Sequence, residues 1–142
     1  MLKGIPSILS PELLKIMMEM GHGDELVIAD GNFPSAAYAQ RLVRAAGHNV
    51  PELLEAILQF LPLDIYVEKP VAIMAIVAGD TYKPEIWPVY EGIVCKHKAD
   101  FKGFESVERY GFYERAKAAY AIIATGETAL YANIILKKGV VI

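Results

Sequence analysis

Met20-Gly21-His22-Gly23-Asp24-Glu25-Leu26-Val27-Ile28-Ala29-Asp30 is the stretch on which the fold turns. Its apolar run, Leu26 to Ala29, is too short for a helix and reads as a strand buried on both faces, the pattern of parallel strands in α/β proteins. Asp30 then stands at the carboxyl end of that strand, where ligands bind in open parallel sheets. His22 stands before the strand, so a loop or a neighbouring subunit has to bring it to that end. If the two groups meet, an acid/base side chain faces a hydrogen-bonding carboxylate across a small pocket.

Working outward, Ser10-Pro11-Glu12 is a helix start, with Leu13, Leu14, Met17 and Met20 on one stripe and Gly21 as the stop. Beyond the strand, Gly31 to Ser35 is a turn. Ala36 to Ala46 is alanine-rich and reads as a helix ending at Gly47. A further helix begins at Pro51 and is ended by Pro62. Val71 to Ala78 reads as a second buried strand that runs into a turn carrying a carboxylate, Gly79-Asp80. Pro84 to Lys96 reads as a helix, Phe104 to Tyr110 as a strand and Phe112 to Ala119 as a short helix. Tyr120 to Ala124 and Asn133 to Leu136 read as the remaining strands. Strands alternating with helices predict a single-domain α/β protein, a three-layer sandwich with a mostly parallel central sheet flanked by helices.

The 142 residues make one domain with one good core. Net charge is −3 and no basic cluster exceeds Lys137-Lys138, which argues against nucleic acid as a partner. Hydrophobic residues make up 54% of the chain, yet no apolar run approaches the roughly 18 residues of a membrane span, so no membrane partner is expected. The surplus apolar surface predicts subunit contacts, above all at the tail Ile134, Ile135, Leu136, Val140, Val141 and Ile142. Cys95 is the only cysteine, and the first residues lack the apolar core of a signal peptide. Both fit a reducing cytoplasm.

Phosphate-binding and hydrolase motifs are absent. Gly21-His22-Gly23 opens onto a strand and cannot present helix N-terminal amides to a phosphate. His22, His48 and His97 lack zinc-site spacing, so no metal is expected. What remains is a set of polar residues at the ends of apolar elements: His22, Asp30, Arg109, Tyr113, Tyr131 and Asn133. Taken singly, His22 is a helix-end histidine, Asp30 a turn carboxylate and Tyr113 a half-buried packing residue. Residue chemistry alone stops at an α/β domain with a small polar pocket and a histidine.

Several spaced motifs, in order and spanning nearly the whole chain, carry a resemblance. They are Met20-Gly21-His22-Gly23-Asp24-Glu25 with Asp30 downstream, Phe112-Tyr113-Glu114-Arg115, and Tyr131-Ala132-Asn133-Ile134-Ile135-Leu136 before Gly139-Val140. Together they resemble the fucose mutarotase and ribose pyranase family. The resemblance implies a proton-donating histidine at His22, a sugar-binding aspartate at Asp30 and a binding segment at Tyr131, Ala132 and Asn133. Arg109 resembles the fucose branch, since ribose pyranases typically carry histidine there, and Tyr113 is a further candidate. Asn32 departs from the fucose enzymes, which often carry a histidine after Asp-Ala.

The implied reaction interconverts the α and β anomers of L-fucose or a related free monosaccharide by ring opening and closing, and it needs no cofactor. The alternatives are a D-ribose pyranase converting pyranose to furanose, and a non-catalytic sugar-binding oligomer. The resemblance also implies a ring-shaped decamer. Because His22 and Asp30 bracket the strand, active sites shared between subunits are expected.

Overall fold

The computed structural model describes residues 1–142. Six strands form one sheet: β1 Glu25–Ala29, β2 Leu42–Ala45, β3 Val71–Met74, β4 Glu105–Val107, β5 Ala121–Thr125 and β6 Ile134–Lys137. Their order across the sheet is β2-β5-β1-β6-β3-β4. The pairs β2 with β5, β5 with β1, and β3 with β4 are parallel. β6 alone runs the other way, antiparallel to β1 and β3, in the middle of the sheet. Ile134, Ile135 and Leu136 are fully buried there, which explains the continuous apolar run.

Five helices cover the two faces: α1 Pro11–Glu19, α2 Ser35–Tyr38, α3 Val50–Leu58, α4 Ile86–His97 and α5 Arg109–Ala118. α1, α3 and α4 join the larger core, where Leu13, Leu53, Ile57, Tyr90 and Val94 meet Leu26, Ile28, Ile123 and Ile134. α2 and α5 close the other face around Phe33, Phe112, Ala116, Val27 and Ile135. The three-layer single-domain architecture expected from the sequence is present, with a mostly parallel sheet.

Local chemistry sets the helix starts. Ser10 Oγ accepts from the Leu13 N–H at 3.1 Å, with Pro11 behind it. Asn49 and Glu52 form a reciprocal capping box at α3. Glu108 caps α5 by accepting from the Tyr110 and Gly111 N–H groups. That cap starts α5 at Arg109 instead of Phe112 and leaves β4 three residues long, where a strand over Phe104 to Tyr110 was expected.

Two other expectations need correction. Ala36 to Ala46 is not a helix: α2 lasts four residues, and Leu42 to Ala45 pair with Ile122 to Thr125 as the edge strand β2. Pairing with β5 outweighs the helical preference of alanine, a weak preference that tertiary contacts override. The strand expected over Val71 to Ala78 stops at Met74, because the chain turns outward there and Val77 to Asp80 become exposed.

Candidate active site

The carboxyl ends of β1 and β3 and the start of β6 converge on a cavity of about 310 Å³, at the small end of the range for small-molecule sites. Asp30, Asn133, Arg109, Tyr113 and Tyr131 all line it, with Asn32 and Asp80. Phe33, Met74, Val77 and Leu130 supply apolar wall. A larger depression of about 460 Å³ lies between Leu58 to Leu63, Ile65 and the tail residues Val140 and Val141, and holds none of these groups.

The floor of the cavity is a locked pair. Asn133 Oδ1 accepts from the Asp30 N–H at 2.7 Å, which turns its amide nitrogen toward the Asp30 carboxylate. Asp30 Oδ1 also accepts from the Asn32 N–H at 2.9 Å. Burial nevertheless raises the Asp30 pKa above its ordinary value. The N–H groups of Asn32 and Phe33 and the Asn133 amide offset only part of that, and the negative charge of Glu127 adds to the rise. Glu127 is itself buried and accepts from the N–H groups of Val50, Thr128 and Ala129. Thr125 Oγ1 donates to the Ala29 carbonyl at 2.7 Å, joining the ends of β5 and β1 beneath the pocket.

The rim is aromatic and charged. Arg109, the first residue of α5, lies 5.6 Å from the Tyr110 ring and 5.7 Å from the Tyr113 ring. Tyr113 packs edge-on against Phe33. Tyr131 donates its phenol proton to Asp80 Oδ2 at 2.6 Å and accepts from the Val77 N–H at 3.3 Å. The bond to Asp80 raises the Tyr131 pKa and lowers that of Asp80. With its proton committed, Tyr131 offers a ligand its ring more readily than its hydroxyl. Ala132, also expected in the site, is fully buried and does not line the cavity; its carbonyl accepts from the Tyr90 phenol at 2.6 Å.

His22 is not in this cavity. It sits at the opposite end of β1, about 17 Å of strand away from Asp30. Its Nε2 lies 3.0 Å from Asp64 Oδ1, and its ring packs against Tyr66 with centroids 5.4 Å apart. The His22 side chain is 46% exposed and that of Asp64 only 4%. Burial pushes the Asp64 carboxyl up, but the Tyr66 N–H and His22 more than compensate, so Asp64 titrates below the ordinary range. Gly23 has φ +86° and donates its N–H to the Lys138 carbonyl at 2.8 Å. The second glycine of the motif therefore serves a backbone turn. No cluster of three or more His, Cys, Asp or Glu side chains has metal-binding geometry.

A family model described as the RbsD / FucU transport protein family matches residues 3–141. The chain belongs to this family. Within it, the Homo sapiens protein named fucose mutarotase is 50% identical over 145 residues, covering 98% of this chain and 94% of that one. The L-fucose mutarotase of Actinobacillus pleuropneumoniae serotype 5b is 49% identical, with 99% and 97% covered. Among solved structures, the fucose mutarotase of Streptococcus pneumoniae in complex with L-fucose superposes with a TM-score of 0.95 at 55% identity, covering 99% and 100% of the two chains. Bacillus subtilis RbsD complexed with D-ribose shares the fold at a TM-score of 0.71 and 24% identity, with 94% and 95% covered.

Of the residues in this family member expected to form the site, the fold brings together Asp30, Arg109, Tyr113, Tyr131 and Asn133 and leaves His22 apart. Sequence reasoning missed Asp80 as a site residue. In sequence it stands in the turn after the expected strand Val71 to Ala78, as Asp30 follows Leu26 to Ala29, so the rule that singled out Asp30 could have found it. Asp64, the partner of His22, and Glu127 carry no such signal, since only tertiary contacts bury them.

Proposed function

We propose that this chain is a sugar mutarotase: it interconverts the α and β anomers of a free monosaccharide, with L-fucose the best substrate. The carrying observation is the cavity at the strand ends. A buried carboxylate locked to an amide forms its floor, an arginine and tyrosines form its rim, and apolar wall lies between. That inventory suits a ligand of many hydroxyls, an apolar sugar face and no charge. The names of the relatives point to the same substrate.

An aldose changes anomer by opening to the free aldehyde, rotating about C1–C2 and closing on the other face. Opening puts one proton on the ring oxygen and takes one from the anomeric hydroxyl; closing reverses both. Atoms and electrons balance without oxidant, reductant or cofactor. Asp30 and Asn133 hold hydroxyls, Arg109 donates to sugar oxygens, and the Tyr131 ring forms a platform with Tyr113 beside it. Histidine, with an ordinary pKa near 6.5, both gives and accepts protons at neutral pH, and His22 fills that role.

The separation of His22 from the cavity gives this reading a quaternary consequence. His22 comes from a neighbouring subunit in a homo-oligomer, a decamer by family resemblance, acting in the cytoplasm on free sugar. Exposed apolar side chains close to the His22–Asp64 pair support subunit packing there, Ile65 at 52% and Tyr66 at 69% among them.

Saturation-transfer NMR on fucose and ribose side by side tests the function. Faster exchange of fucose anomers than of ribose forms is the expected result. Faster pyranose-to-furanose conversion of ribose would place the chain with the ribose pyranases, and binding without exchange would make it a sugar-binding module.

A further inference from the structure

Tyr131 is the only residue other than glycine with a positive φ, at 56°. An L side chain rarely adopts this left-handed conformation and keeps it only where the surroundings enforce it. Two side chains of α4 do so. The Trp87 indole N–H donates to the Tyr131 carbonyl at 2.9 Å, and the Tyr90 phenol donates to the Ala132 carbonyl at 2.6 Å. Neither side chain lines the cavity. Tyr90 is fully buried. On the outer side, the Tyr82 ring stacks on that of Tyr131, 6.1 Å between centroids with planes 19° apart. Tyr131 itself lines the cavity. The next residue along is Asn133, whose Oδ1 holds the Asp30 N–H. Movement of residues 131 and 132 therefore passes through one peptide unit to the floor of the site.

We propose that Trp87 and Tyr90 are positioning residues: they hold the Tyr131–Asn133 segment in its left-handed turn, and so set sugar affinity without touching the sugar. The effect on turnover rests on the mutarotase reading above; the effect on the segment does not. Both donors are rigid aromatic groups on a helix packed into the main core, so the segment borrows its fixed geometry from the body of the fold. Tyr90→Phe keeps the ring and removes only the hydroxyl, whereas Trp87→Phe removes the indole N–H together with one ring of the bicycle.

The test compares Trp87→Phe and Tyr90→Phe with the wild type. In fucose exchange, KM is expected to rise about tenfold with kcat within about twofold, the mark of lost binding geometry with the chemistry intact. By NMR, exchange of the Asp30 amide proton with solvent should accelerate about tenfold, while amides of Ile122 and Ile123 in β5 keep their protection. Tyr131→Gly, which adopts positive φ freely, should shrink the additional acceleration caused by Trp87→Phe. Unchanged KM and unchanged Asp30 exchange, with only a lower melting temperature, would reduce both residues to packing and overturn the proposal. If the wild type turns over no sugar, the mutarotase reading fails, and the Asp30 amide alone decides whether α4 holds the segment. Should Tyr90→Phe not fold, Trp87→Phe decides it, because that side chain is only half-buried.

Discussion

The two ends of β1 are built to opposite standards. At the carboxyl end, Asp30 and Asn133 are buried, bonded to each other and backed by Thr125 and Glu127. At the amino end, His22 stands half in solvent on one bond to Asp64. Binding a polyol requires fixed donors and acceptors, and rigidity there costs nothing further when the sugar arrives. A group that passes protons to and from a ring oxygen must reach its target and exchange with water. The difference fits the proposed division, with recognition at the buried end and proton transfer at the exposed one.

Replacing His22 should break that division most visibly. In His22→Gln, fucose exchange should fall by about 10²- to 10⁴-fold. Folding stability should stay within about 0.5 kcal/mol, since the ring is exposed. Full retention of exchange would remove His22 from the mechanism. If the two ends meet only between subunits, co-purifying a His22→Gln chain with an Asn133→Ala chain should restore activity to about a quarter of the sites, the share that draws both intact halves at random. A mixture as inactive as its parents, despite proven subunit exchange, would sink the shared site.

Asn133→Ala should act in the other direction, on stability together with binding. It strands the buried Asp30 N–H, so urea unfolding should show a loss of about 1–3 kcal/mol, and fucose binding should weaken with it. A stable variant that no longer binds would mean the amide serves the ligand alone.

The smallest effect sharpens the contrast through pH. Asp30 has a folded pKa above the ordinary 3.8, so its contribution is intact in acid and is lost as pH rises through the raised value. Asp64 has a folded pKa below 3.8, so its contribution is present above that value and is lost as pH falls through the lowered one. The stability of wild type relative to Asp30→Asn should thus decline as pH climbs from about 4, while that relative to Asp64→Asn should decline as pH drops below about 4. Melting curves across that range, showing the same slope for both, would contradict the electrostatic contrast.

Much of this was legible in the sequence where one residue type has one local meaning. Ser10-Pro11 and Pro51 mark helix starts, and the apolar runs of β1, β5 and β6 are central strands. Legibility failed where a distant partner decides. Leu42 to Ala45 become a strand only because β5 offers an edge, and the exposed residues Val77 and Ala78 look in sequence like a continuation of β3. The site followed the same rule. Asp30 was visible because a carboxylate after a strand has a positional meaning, whereas Trp87 and Tyr90 look like any aromatic residues of an amphipathic helix until their protons are traced to the backbone they hold.

β6 is the last strand in the chain, yet it lies in the middle of the sheet and divides β5-β1 from β3-β4. During synthesis, every other strand leaves the ribosome before the one that joins the two halves. Until Ile134 to Lys137 arrive, β1 and β3 each present an unpaired, largely apolar edge, the kind of surface that recruits other chains. Closing the sheet also joins residues more than a hundred positions apart, such as Val27 and Ile135, which is slow on entropic grounds. The nascent protein therefore has a window in which pairing with other chains competes with closure of the sheet. That window ends with the same few residues that carry Asn133 into place, so the floor of the cavity and the finished fold are completed together.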